Sequence, residues 1–148
     1  MKKPAGPKKP ELRLASRPKL TREVSAMAWV ENGFGHVLMV RQAQGNRVWT
    51  LPGGKVRGTE ELAKTLEREV REEIGIGVST AHPAAIYDRS TRQNLTVLFL
   101  VRLKAGEFKI ERPQEIAEIA FKARLPANAS PSAKFFWKRY REIPSLRL

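Results

Sequence analysis

Leu51-Pro52-Gly53-Gly54, and then Glu60-Glu61-Leu62-Ala63-Lys64-Thr65-Leu66-Glu67-Arg68-Glu69-Val70-Arg71-Glu72-Glu73-Ile74-Gly75, is the stretch that decides the fold. It reads as a glycine turn that delivers the chain into one helix. The residues from 60 to 74 favour helix, and a glycine just past the last periodic position is a stop signal. Leu62, Leu66, Val70 and Ile74 step by four, so they form an apolar stripe that must face a core. Glu69, Glu72 and Glu73 stand at i, i+3 and i+4. At roughly 100° per residue they converge on one sector beside that stripe, while Lys64, Glu67 and Arg71 fall on the solvent side.

Three converging carboxylates repel one another. On a surface helix each like-charged neighbour costs a few tenths of a kcal/mol, roughly. Taken alone, a Glu-x-x-Glu-Glu pattern also suits a solvated acidic face. A hard divalent cation would reverse the sign of the interaction, since magnesium and manganese take oxygen ligands, keep several waters and are commonly completed by substrate phosphates.

The wider spacing distinguishes these two readings. Gly54, five residues, Glu60, seven residues, then Arg68-Glu69-Val70-Arg71-Glu72-Glu73-Ile74-Gly75-Ile76 fits every fixed position of the pattern G-x5-E-x7-R-E-U-x-E-E-x-G-U, with U a bulky apolar residue. On these residues the chain resembles the Nudix (MutT-like) hydrolase family. The motif covers 23 residues, and the resemblance implies a fold spanning about 24 to 142. It implies an α/β/α sandwich with a mixed β-sheet, and hydrolysis of a pyrophosphate bond in a nucleoside diphosphate linked to another moiety, by water attack on phosphorus with Mg2+ or Mn2+ as cofactor.

Carried over position by position, the resemblance makes Glu69, Glu72 and Glu73 metal ligands, with Glu69 in some members also the base. The Gly53 carbonyl resembles a further metal ligand. Arg68 and Glu60 match residues that orient the catalytic carboxylates. Many relatives recruit one more glutamate from a loop before the last strand; Glu115 is the better candidate here, with Glu118 second.

Outward from the helix, residues 24 to 30 read as a strand, Asn32-Gly33 as a turn, residues 36 to 40 as a second strand and residues 49 to 51 as a short third. After the motif come strands at 84 to 88, 94 to 103 and 116 to 121. The run from 94 to 103 is apolar almost throughout and therefore buried on both faces. Pro131 precedes a helix over 132 to 142, with Phe136, Tyr140 and Ile143 on one side and Lys134, Lys138 and Arg141 on another. This order of elements gives an α/β domain with helices covering a mixed sheet. Trp49 is read as a packing residue, and His36 and His82 as isolated histidines without the partners of a metal site or triad.

Composition sets the remaining bounds. The length suits one domain, 41% hydrophobic residues is ordinary for a globular chain, and the absence of cysteine excludes disulfides and thiolate metal sites. That suits a reducing, cytoplasmic setting. No segment approaches the roughly 18 apolar residues of a membrane span, and the basic start is not followed by an apolar signal region.

The net charge of +13 is unevenly placed: +6 over residues 1 to 23, +1 over 24 to 121 and +6 over 122 to 148. Residues 1 to 23 are expected to form a basic Lys/Pro-rich flexible arm and 24 to 148 a single domain with a basic C-terminal helix. Such ends suit either solubility or contact with a polyanion, whether an RNA 5′ end or an inositol pyrophosphate. A non-catalytic nucleic-acid-binding module is the alternative class, and it would be expected to have lost the motif. Arg41, Arg47, Arg57, Arg89 and Arg92 are candidate phosphate contacts from loops, and family relatives suggest a homodimer.

Overall fold

The computed structural model describes residues 2–7 and 21–142. Its elements in chain order are β1 (Glu23–Trp29), β2 (Val37–Gln42), β3 (Trp49–Thr50), β4 (Gly53–Lys55), α1 (Leu62–Ile74), β5 (Val78–Arg89), β6 (Asn94–Leu103), β7 (Ile116–Lys122) and α2 (Pro131–Glu142), with one turn of 3-10 helix at Ser90–Arg92. Most of the expected arm lies outside the described residues. Its last two residues belong to the domain, however: Glu23 opens β1 and Arg22 is paired with Asp88.

The strands form two sheets. One is mixed, in the order β4-β1-β6-β5, with β1 and β6 parallel and the other pairs antiparallel; the second is antiparallel, in the order β3-β2-β7. Each central strand is apolar on both faces because each face meets a helix. Ala26, Ala28, Leu38, Val40, Val97, Phe99 and Val101 pack with Leu66, Val70 and Ile74 of α1. The alternating residues Met27, Trp29, Val37, Met39, Leu98 and Leu100 pack with Ala133, Phe136, Trp137 and Tyr140 of α2. The period-2 alternation of strands thus feeds two separate cores, one under each helix. This is the α/β/α sandwich expected from the sequence. Ile143, expected to share the packing of α2, lies outside the described residues.

The largest departures from expectation are at α1, β5 and β4, each for a physical reason. α1 begins at Leu62 rather than Glu60, because Glu61 is extended at φ −67, ψ 146 and serves as N-cap. β5 begins at Val78, six residues before the expected strand. It is an edge strand whose outward residues are exposed, so its first half, Ser79 to Pro83, has no apolar run to betray it, and Pro83 sits at a register shift. β4 was not anticipated, since glycine has low strand propensity.

Phe136 is the largest fully buried side chain and meets the stacked pair of Tyr87 and Phe135 edge to face. Phe136→Ala is expected to lower stability by about 3–5 kcal/mol, measurable as a reduced midpoint in urea with little change in the slope.

Candidate active site

The site grows out of the junction between β4 and α1. Gly53 adopts φ 151, and a Cβ there would lie 2.1 Å from the Ala26 carbonyl oxygen of β1. A side chain at Gly54 would lie 2.5 Å from the Glu69 carboxyl carbon. The glycine pair therefore lets the backbone of β4 approach both β1 and the carboxylates of α1, which no larger residue permits.

Arg68 occupies the middle of the acidic group. Its Nε and Nη2 donate to the two oxygens of Glu60 at 2.8 and 3.0 Å, its Nη1 to Glu69 Oε1 at 2.8 Å and to Glu72 Oε2 at 3.3 Å, and its Nη2 also to the Lys55 carbonyl at 3.2 Å. All five guanidinium N–H groups are thus accounted for. The bidentate pair with Glu60 exists because Glu60 precedes the helix, where its carboxylate also accepts from Thr65 Oγ1 at 2.7 Å and the Arg57 amide at 3.3 Å. These hydrogen bonds, that from Arg68 first, hold the Glu60 carboxyl down at about 2.

Glu73 is placed differently. Its Oε2 accepts from the Gly53 amide at 3.0 Å. Burial pushes its carboxyl well above the ordinary range, opposed by that amide and reinforced by the negative charges of Glu69, Glu115 and Glu72. The same influence places Glu115 in the electrostatic neighbourhood of the helix glutamates. Glu118 points elsewhere, pairing with Arg41 at 3.2 Å.

The expected residues are therefore gathered around one turn: Gly53, Glu60, Arg68, Glu69, Glu72 and Glu73 in contact, and Glu115 facing them across Arg112. Arg112 escapes sequence reasoning altogether. It reaches Glu72 Oε1 at 3.1 Å and Glu115 Oε1 at 3.5 Å from a loop with no periodicity. Opposite charges alone, distant in sequence, offered no signal that could have found it.

Chemically the group offers hard oxygen donors in excess of positive charge: the carboxylates of Glu60, Glu69, Glu72, Glu73 and Glu115 face the guanidinium groups of Arg68 and Arg112. Among the described residues no three His, Cys, Asp or Glu side chains stand together as a ready-made metal site. The arginines take up acceptor oxygens of Glu69 and Glu72. The donor chemistry and the part-buried, crowded Glu73 fit a hard divalent cation, which would compete with Arg68 and Arg112 for those oxygens. Gly53 meets the cluster through its amide, which bonds Glu73.

A family model described as NUDIX domain matches residues 21–143. A "MutT-like protein" of Streptomyces ambofaciens is 33% identical over 83 residues, 56% of this chain and 53% of its own length, so the chain spans about half the length of that curated relative. A solved MutT NUDIX hydrolase from Burkholderia pseudomallei is 21% identical with a TM-score of 0.72, covering 80% of this chain and 97% of its own. A solved ADP-ribose pyrophosphatase from Streptococcus suis is 25% identical with a TM-score of 0.65, covering 77% and 86%.

The Glu60 pairing has a consequence for stability. Because its carboxyl is held at about 2 rather than near 4.5, its ionised form stabilises the fold fully above about 4.5, and that contribution is lost as pH falls toward 2. Thermal denaturation across this window is expected to show a shallower acid loss in Glu60→Gln than in the native protein, with the variant already less stable at neutral pH.

Proposed function

The chain belongs to the NUDIX domain family, and from that premise we propose that it is a divalent-metal-dependent pyrophosphohydrolase acting on a nucleoside diphosphate linked to another moiety. The observation that carries this reading is the intact acidic cluster around Gly53. The crowding is a cost at Glu73, whose carboxyl is pushed up by burial and by the charges of Glu69, Glu115 and Glu72, and a fold with no cation to receive would gain nothing from it. A pure binding module would have no use for them. The likeness to a solved ADP-ribose pyrophosphatase supports the substrate class.

Glu69, Glu72 and Glu73, with the Gly53 carbonyl, would hold magnesium or manganese. When bound, such an ion neutralises phosphate oxygens and lowers the pKa of water. The chain's own residues do the rest. Arg68 fixes Glu69 and Glu72 relative to Glu60 and to the β4 backbone through five hydrogen bonds, so the donor oxygens are set before substrate arrives. Arg112 bridges Glu72 to Glu115 and so brings the loop before β7 over the site.

Water adds to one phosphorus, the bridging phosphorus–oxygen bond breaks, and the water proton must be accepted. Glu115 is the better placed acceptor: it is half exposed and meets Arg112 only at 3.5 Å, whereas Glu69 is engaged by Arg68 at 2.8 Å. Gly54, with no side chain, leaves the Glu69 carboxylate room against the turn.

The test is product release from a panel of nucleoside triphosphates, dinucleoside polyphosphates, ADP-ribose and 5′-triphosphorylated RNA, with magnesium and with manganese. Glu73→Gln is expected to abolish turnover while retaining the folded circular dichroism spectrum, and Glu115→Gln to lower kcat by about 100-fold or more with KM little changed. Full metal-dependent activity in Glu73→Gln would overturn the assignment. Chelation of the metal is expected to stop turnover reversibly, with recovery on adding magnesium back.

A further inference from the structure

A cleft of about 510 Å³ opens on the α2 side of the mixed sheet, separate from the carboxylate cluster. Its floor is polar. Asn94 donates from Nδ2 to Ser25 Oγ at 3.4 Å and accepts from Thr96 Oγ1 at 2.9 Å, so one amide ties together hydroxyls on neighbouring parallel strands. The opposite wall includes Ser132, whose hydroxyl lies 3.2 Å from Ser130 Oγ, which donates to Thr50 Oγ1 at 2.9 Å. Hydroxyl and amide groups lining a cavity of this size suit an oxygen-rich ligand, such as a sugar, better than an apolar one.

Arg89 and Arg92 stand at the edge of this cleft. The acids beside them are engaged by other cations: Asp88 by Arg22, and Glu23 by Lys55 at 2.9 Å. Among the described residues neither Arg89 nor Arg92 has a carboxylate partner, and Arg89 rests against the Tyr87 ring at 5.6 Å. Two uncompensated guanidinium groups beside a polar cleft favour an anion with oxygens in a plane or tetrahedron. One of its lining residues lies on the strand next to the glycine turn. Met27 lines it, and Met27 is the Cα partner of Gly53, whose amide bonds Glu73.

We infer that this cleft receives the part of the substrate beyond the scissile pyrophosphate, and that Arg89 and Arg92 select a substrate carrying a further anionic group there, a phosphate ester or a carboxylate. The inference rests on the pyrophosphohydrolase reading for the placement of the pyrophosphate. It deepens that reading by naming a substrate class: a nucleoside diphosphate compound with a negative charge remote from the bond that is cut.

Two matched pairs of compounds test it. ADP-ribose with its 2′-phosphate reports a phosphate ester, and UDP-glucose with UDP-glucuronate reports a carboxylate. Binding is read by calorimetry with calcium, and hydrolysis in parallel with magnesium. The native protein is expected to bind the more anionic member of one pair about tenfold or more tightly. R89A combined with R92A should remove that preference, bringing the ratio of affinities within the pair to about one. R89K with R92K should restore part of it. Equal native affinity within both pairs, or a preference that survives in the double alanine variant, would overturn the inference. A pairwise preference without hydrolysis of any compound would sink the enzymatic reading and leave the subsite standing; hydrolysis without preference would do the reverse.

Discussion

Repulsion among carboxylates drawn to one turn is the constraint to which this structure answers. The Arg68 side chain is the main reply. Spending all five donors on Glu60, Glu69, Glu72 and the Lys55 carbonyl, it joins the segment ahead of α1, two glutamates of α1 and the backbone of β4. A lysine could not do this, since an ammonium is a compact charge without the planar fork. Arg112 adds a second guanidinium from the loop before β7. Among the described residues Glu73 receives no arginine, only an amide, and its proton affinity rises.

That arrangement depends on packing that has nothing to do with charge. Leu66, Val70 and Ile74 are fully buried under the sheet, each worth about 1.5–3 kcal/mol of burial, and they fix the rotation of α1 so that positions 69, 72 and 73 face the turn. On the other side Trp29, Trp137 and Tyr140 form an aromatic group, with Trp29 and Tyr140 centroids 4.6 Å apart. β1 belongs to both layers, and its Met27 to Ser25 segment pairs with β4. The glycine turn is thereby positioned by two independent cores at once.

Much of this was legible in the chain. The α1 stripe repeats every four residues, β6 announces itself by an unbroken apolar run, and both follow from local periodicity. The glutamate cluster was legible because its members share one helix face. What escaped has a common cause. The strand at Gly53–Lys55 carries no propensity signal, and the early half of β5 carries no apolar alternation because it lines a sheet edge. Arg112 meets Glu72 through tertiary placement alone, and Thr65 bonds Glu60 only because the helix starts two residues late. Local chemistry reads local elements; contacts between distant loops are set by the sum of the packing.

The parallel pairing of β1 with β6 bears on how the molecule is made. Glu23 and Asn94 are aligned across that ladder, and Asn94 Nδ2 reaches the Glu23 carbonyl over a separation of 71 residues. Closing so long a loop must precede the reward of the contact, which slows folding of topologies rich in distant pairings. α1 precedes β6 in the chain, so the helix is made before the strand whose Val97, Phe99 and Val101 complete the core under its apolar stripe. Until that strand is in place the apolar stripe of α1 has only part of its core to pack on, and an uncovered apolar face is what makes an incomplete chain prone to misassembly.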